Sequence, residues 1–361
     1  MHANSGMRCA LVFACAAALA AQESRFDVRS RLVLVPVNVT DQKGRSVDGL
    51  GISDFLVFDN GQPRKAAVDT IDTGVAPIAL VIAVQSSGIS APTLEKVRTI
   101  GAMIQPLVTG ERGCAGLAAF AERVEWLQDC TKDADALSAA FRKLEPLLRP
   151  GEEKRACMLD AVGSAVEHLR RRENARRVLL LISESRDRGS EADLAAVAAS
   201  AQSAGVAIYS ATYSAFKAAF TSKSPVGPPR RPLKPKTPIG ETGTPNGRPP
   251  GMHNPYPKIP PPEQQVDILA AMGELVRLGQ TNTTQALAKA TGGAIFPFTT
   301  QRALEEVVHK LGGDLHSQYV ISFVPDAASS PGYHQLEVRL ARPGDFRIRA
   351  RPGYWLGEDA Q

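Results

Sequence analysis

Aromatic residues are scarce in this 361-residue chain, at 6% with only two tryptophans, and cysteines number five. So few cysteines exclude a disulfide-dense miniature scaffold. The longest apolar run, Cys9–Ala21, is too short for a permanent membrane-spanning helix, and nothing else approaches that length. His168, His309 and His316 lack metal-ligand spacing with cysteine or acidic neighbours, and His253 falls in a proline-rich stretch. His334 is read as part of a β turn. Gly-x-Ser-x-Gly elbows, phosphate loops and dinucleotide glycine patterns are all missing. No solenoid repeat is visible. A composition of 43% hydrophobic and 22% charged residues is globular, and the length fits two domains or one with appendages.

What is present begins with export. Arg8 followed by Cys9–Ala21, with small residues at Ala18-Leu19-Ala20, reads as a signal peptide over 1–21. The expected location is periplasmic or extracellular. Removal of Cys9 and Cys15 leaves Cys114, Cys130 and Cys157. Cys114 and Cys130 sit in two strand-like segments that turn near Glu122. A cross-strand disulfide and three unpaired thiols are both compatible with that placement.

The basic balance, 42 Lys+Arg against 37 Asp+Glu, has one source. Segment Lys217–Pro262 holds 14 of the 26 prolines and eight bases against one acid, leaving 34 bases against 36 acids elsewhere. It cannot build a core and reads as an extended insertion. An anionic envelope surface or partner belongs at 217–262, and nucleic acid is not expected. Arg170-Arg171-Arg172 and Arg176-Arg177 are read as a helix end, where cations suit the dipole.

Along the rest, LVLVPVNVT at Leu32–Thr40 reads as a strand, placed at an edge by Pro36. DFLVFD at Asp54–Asp59 precedes the hairpin dipeptide Asn60-Gly61. PIALVIAV at Pro77–Val84 and RVLLLI at Arg177–Ile182 are apolar throughout, as strands buried on both faces are. Helices are expected over Pro92–Val108 with Ser90 as cap, Ala134–Leu148, from Met158 to Leu169, and over Ala192–Ala204. Further helices are expected over Gln264–Leu278, Thr284–Thr291 and Arg302–Leu311. Val206–Ala211 and Ala294–Phe298 read as strands, as do Gln318–Val324, Gln335–Leu340 and Phe346–Arg351, with Gly332 and Gly344 in turns. Alternating strands and helices argue a doubly wound α/β sheet. The terminal strands are too few to stand alone and should combine into one accessory β-sandwich-like unit.

An apolar strand running into Ser-Ser-Gly, followed later by RRVLLLISES, resembles a von Willebrand factor type A (VWA) domain. The flanks VLVPVNVTDQKGRSVDGLGISDFLVFDNGQPRK, LAKATGGAIF, LHSQYVISFVP and FRIRARPGYW resemble the VWFA-related proteins of acidobacteria. The resemblance implies an N-terminal β segment over 26–75, a VWA-like domain over 76–312 interrupted by 217–262, and a C-terminal β segment over 313–361. It also implies a metal-ion-dependent adhesion site (MIDAS), built from Asp-x-Ser-x-Ser, a Thr and an Asp on three loops. Hard oxygen ligands of that kind suit Mg²⁺. The matching positions here are Gln85, Ser87, Ile89, Ala156 and Glu184. Only Ser87 is unchanged and only Glu184 keeps a carboxylate, so a degenerate site without metal or other cofactor is expected. Ser86, Ser90 or Asp187 are the substitutes if Mg²⁺ binds after all.

The implied function is non-catalytic protein–protein interaction or adhesion, with the partner unidentified. The alternatives are a Mg²⁺-dependent adhesion protein with non-standard ligands and a secreted hydrolase with an unrecognised site. Trp126 and Trp355 are read as packing residues. Tyr333, Tyr354 and Trp355 are candidates for an interaction surface.

Overall fold

A computed structural model describes residues 32–69, 76–87, 90–147, 155–214, 282–326, 329 and 331–356. The expected signal peptide, the proline-rich segment, the expected helix Gln264–Leu278 and Ile89 lie outside the described residues.

Strand β1 is Val33–Thr40, β2 Phe55–Asp59, β3 Gln62–Arg64 and β4 Ala66–Asp69. Then come β5 (Ile78–Gln85), α1 (Ala91–Arg98), the short α2 (Gly101–Ile104), β6 (Cys114–Phe120) and β7 (Val124–Thr131). They are followed by α3 (Ala134–Arg142), α4 (Met158–Arg170), β8 (Arg176–Ser183), α5 (Leu194–Ser203) and β9 (Val206–Thr212). The remainder is α6 (Thr283–Thr291), β10 (Ile295–Pro297), α7 (Gln301–His316), β11 (Tyr319–Phe323), β12 (Gly332–Leu340), β13 (Arg347–Arg349) and β14 (Gly353–Leu356).

The central sheet has six strands in the order β10-β9-β8-β5-β6-β7. Its pairs are parallel except β6–β7, a hairpin closing one edge. Alternation along β5 divides the core, because successive strand side chains point to opposite faces. Ile78, Leu80, Ile82 and Val84 pack with Leu94, Val97, Ile104, Phe141, Leu304, Val308 and Leu311 from α1, α2, α3 and α7. Ala79, Val81 and Ala83 pack with Met158, Val162, Ala201 and Leu287 from α4, α5 and α6. The sheet is thus covered on both faces, as the apolar runs of β5 and β8 require.

The terminal strands form two antiparallel four-stranded sheets, β13-β1-β11-β4 and β14-β12-β2-β3. Val35, Val37, Phe55, Val57, Ile321, Phe323 and Tyr354 fill the space between them. The doubly wound sheet and the accessory sandwich are both as the sequence led us to expect. Polar contacts join the two parts. Asn38 Nδ2 donates to the Asp314 carbonyl at 2.8 Å, and Gln318 Nε2 donates to Asn38 Oδ1 at 2.9 Å. Arg349 pairs with Asp314 at 2.5 Å.

Several expectations are corrected. β1 is an interior strand, yet β13 pairs only with its Asn38–Thr40 end, so Pro36 lies where β11 alone is beside it. A half-open position of that kind is where a sheet tolerates proline. The helix expected over Pro92–Val108 breaks at Thr99–Ile100, and residues Gln105–Thr109 form a π-type turn around Pro106 that ends at Gly110 (φ 63°). Ser90 precedes α1 but makes no side-chain cap bond, its hydroxyl being committed to the Ser87 carbonyl. The second expected helix ends at Arg142 rather than Leu148. α7 runs on through Gly312 and Gly313 to His316. Gly332 opens β12, so His334 is a buried strand residue and not part of a turn. Arg176 and Arg177 begin β8 rather than ending a helix. Tyr354 is buried, leaving Trp355 partly exposed against Tyr333.

Candidate functional site

Parallel registration brings the carboxyl ends of β5 and β8 side by side, with Gln85 also level with Phe120 at the end of β6. Crevices beyond such strand ends are where open α/β sheets hold ligands. The loops after β5 and β8 and the segment entering α4 meet there.

Gln85 is the hub. Its side chain is fully buried, its Oε1 accepts the Glu184 amide at 3.0 Å, and its Nε2 donates to Ser87 Oγ at 3.0 Å. The same Nε2 lies 3.5 Å from Glu184 Oε2. The amide orientation follows from this network, since an N–H must face its oxygen. Arg188 Nη2 stands 3.3 Å from the same oxygen, Glu184 Oε2. Three of the resemblance positions are therefore joined through one side chain, Gln85 bonding to both Ser87 and Glu184. Their acceptor oxygens are met by an amide N–H and a guanidinium.

Ala156 is fully buried and reaches the same place through its backbone. Its N–H and C=O exchange hydrogen bonds with the C=O and N–H of Arg188, both at 3.0 Å. Its methyl side chain contributes no ligand oxygen. The expected substitutes are committed elsewhere. Ser86 Oγ donates to the Phe120 carbonyl at 3.3 Å and Ser90 Oγ to the Ser87 carbonyl at 2.7 Å. Asp187 accepts the Met158 and Leu159 amides at 2.7 and 3.1 Å and the Ser190 hydroxyl at 2.5 Å. It thereby caps α4 from a neighbouring loop, because the first-turn amides of a helix have no partner within it. Among the described residues no cluster of three or more His, Cys, Asp or Glu side chains has metal-holding geometry.

Sequence reasoning passed over two members of this site. Arg188 is four residues after Glu184, a spacing whose meaning on an irregular loop appears only in three dimensions. Tyr213 follows β9 and buries its hydroxyl beside Ser90, in the field of Glu184 and Arg188. That hydroxyl meets no partner at normal hydrogen-bond geometry among the described residues. Desolvation pushes its pKa well above the ordinary phenol value.

Elsewhere, Cys114 and Cys130 form a disulfide across β6 and β7, and Cys157 is a buried free thiol donating to the Gly189 carbonyl at 3.2 Å. Two histidines have acid partners far from the strand ends. His168 Nε2 lies 2.6 Å from Asp129 Oδ1 and stacks on Trp126. His334 Nδ1 lies 2.9 Å from the fully buried Asp59, which also accepts from Tyr354.

Order and direction decide the architecture. Numbered from β5, the central strands run 3-2-1-4-5-6 with strand 3 reversed. The fold is VWA-like. No family model matches the chain, and no curated protein matches it. Similar solved structures exist at low identity. BatB, a conserved hypothetical protein of Bacteroides thetaiotaomicron, is 15% identical over 65% of this chain and 98% of its own, with a TM-score of 0.40. The vWF domain of the type V pili tip protein Mfa5 from Porphyromonas gingivalis is 16% identical over 32% of this chain and 40% of its own, with a TM-score of 0.28. Proximal thread matrix protein 1 of the mussel byssus, with a zinc-occupied MIDAS motif, is 12% identical with a TM-score of 0.41. That match covers 71% of this chain and 49% of the byssus protein. Among the described residues no helix of the VWA-like protein is long and apolar enough to cross a membrane.

Proposed function

We propose that this chain is an exported, non-catalytic protein-interaction module whose strand-end face engages its partner without a metal ion. The observation that carries the reading is the closed network Gln85–Ser87–Glu184–Arg188. Mg²⁺ needs hard oxygens around it, several from water, in near-octahedral geometry. Here the Gln85 oxygen already accepts an amide, the Glu184 carboxylate already faces a guanidinium, and Ala156 offers nothing. These residues do not fit the ion. Arg188 supplies the positive charge that a metal would supply, but as a fixed planar donor that is 40% exposed in its side chain. A carboxylate of a partner protein can pair with such a guanidinium directly.

Export rests on the signal-like start together with the Cys114–Cys130 disulfide, a bond that persists in oxidising compartments. Absence of catalysis rests on how the polar groups at the strand ends are spent on one another, with both histidine–acid pairs placed elsewhere. Segment 217–262, with its net positive charge, is the place for any anionic envelope surface.

Two measurements test the reading. Calorimetric titration with Mg²⁺ or Mn²⁺ should give no micromolar binding, and micromolar binding abolished by Glu184→Ala would overturn it. Partner capture from the native envelope fraction should be equal with EDTA and with Mg²⁺, and should fail with Arg188→Glu. Capture that requires Mg²⁺ would show that the face uses a metal.

A further inference from the structure

At the opposite end of the central sheet, the starts of β5 and β8 border a cavity of about 460 Å³. Its polar wall comprises Thr109, Gly110, Glu111, Arg112, Arg176 and His316. Arg176 is the unusual member. Its Nη2 donates to the Leu315 carbonyl at 2.8 Å and to Gln318 Oε1 at 2.6 Å. Both acceptors are neutral, and among the described residues no carboxylate pairs with this guanidinium. A largely desolvated cation without a counter-charge is costly, and burial accordingly lowers its pKa from the usual guanidinium value. The two neutral acceptors hold one nitrogen of the fork in place, while Arg has five donors in a fixed plane.

Arg112 and His316 share the described lining with one acid, Glu111. Gly110, at φ 63°, turns the chain at the rim of the cavity. Nothing about this end of the sheet is needed for the interaction face, which lies beyond the other ends of the same strands.

We propose that this cavity is a binding site for an oxyanion, a phosphate or carboxylate group, seated on the Arg176 guanidinium with Arg112 and His316 beside it. The ligand completes the charge balance that the fold leaves open at Arg176. The site is independent of the metal-free face.

The test uses the full chain at low ionic strength. Inorganic phosphate, phenyl phosphate and succinate are titrated separately and followed by ¹⁵N–¹H chemical shifts and calorimetry. Saturable one-to-one binding is expected, with shifts centred on the amides of Gly110, Glu111 and Arg112. Preference for the phosphates or for succinate identifies which oxyanion the cavity takes. Arg176→Gln should weaken binding at least about tenfold, the loss of one charge-assisted contact. Arg171→Gln, on another surface, should leave it unchanged. No saturable binding of any of the three at millimolar concentration, or undiminished binding by Arg176→Gln, would overturn the proposal. If Arg176→Gln does not fold, the shift map of the natural protein and the affinity of Arg112→Gln decide. Shifts centred elsewhere, or an Arg112→Gln affinity equal to that of the natural protein, refute the site.

Discussion

Replacing Gln85 by Glu changes one NH₂ to one oxygen and leaves the shape alone, so it isolates the donor role of the hub. The new oxygen would face Glu184 Oε2 across the present 3.5 Å and Ser87 Oγ across 3.0 Å. Two ionised carboxylates at that separation repel by about 5 kcal/mol at an effective dielectric of about 20. Arg188 offsets part of this, though its exposure limits an ion pair to about 0.5–1 kcal/mol. A cheaper route is available. The buried carboxyl can stay protonated and donate an O–H in place of the lost N–H. For a glutamate with an ordinary pKa of about 4.3, that costs about 3.7 kcal/mol at pH 7 and about 1 kcal/mol at pH 5. The cheaper route sets the expected loss, about 3–4 kcal/mol at pH 7. The folded-state pKa of the new group is raised, so the folded protein holds the extra proton. Stability therefore falls as pH rises above the unfolded value, and the deficit shrinks on acidification. Urea unfolding of Q85E and the natural chain at pH 5 and pH 7, both with EDTA, measures the difference. A deficit under about 1 kcal/mol at pH 7, or one equal at the two pH values, would refute the account of Gln85 as the donor that closes this face.

Three other perturbations reach different parts of the molecule. Asp187→Ala removes the acceptor for the first amides of α4 and should cost about 2 kcal/mol in unfolding free energy, with Asp187→Asn recovering part of it. Gly312→Ala would set a methyl 2.1 Å from the Leu107 carbonyl, so α7 must shift away from the Gln105–Thr109 turn. A loss of about 2–3 kcal/mol is expected, visible as a lower melting temperature, whereas Gly313→Ala, with open space around it, should be neutral or stabilising. Reducing the Cys114–Cys130 bond, which closes a loop of separation 16, should cost about 3 kcal/mol and should release two thiols to alkylation under native conditions. Cys157 should stay protected until unfolding, because burial raises its thiol pKa.

The central sheet was legible because β5 and β8 are buried on both faces, which forces the apolar runs Ile78–Val84 and Val178–Ile182. Nothing comparable marks β3, β4 or β14. Each has three or four residues, too few for a period. Among the described residues β3 has only its hairpin with β2, while β4 owes its place to β11 farther along the chain and β14 to β12 before it. His334 was misplaced for a related reason. Gly332 and Pro331 signal a turn, yet Gly332 already pairs with Leu356, and the buried Asp59 draws the histidine into the sandwich. The helix expected to end at Leu311 continues to His316. Gly312 sits inside α7 because only a residue without Cβ lets the helix approach the Leu107 carbonyl.

The strand-end face shows where motif reading stops. The resemblance located Gln85, Ser87 and Glu184, and the structure places the Gln85 side chain in contact with the other two. Reading each position for its own ligand capacity treats them as a list of losses. In the fold the losses compensate one another. An amide at position 85 can donate where an aspartate could not, and so it satisfies Ser87 and Glu184 at once. Ala156, with no side-chain oxygen, lets the Arg188 backbone lie directly against it, and that pairing fixes the loop that carries the Arg188 guanidinium. The carboxylate at 184 then has a cation within 3.3 Å that arrives with the chain itself. Substitution of Gln85 alone would leave the buried Ser87 hydroxyl and the Glu184 amide without their partner, which is costlier than losing the whole set. Introducing metal-ligand side chains at these positions one at a time should consequently destabilise the face at each step.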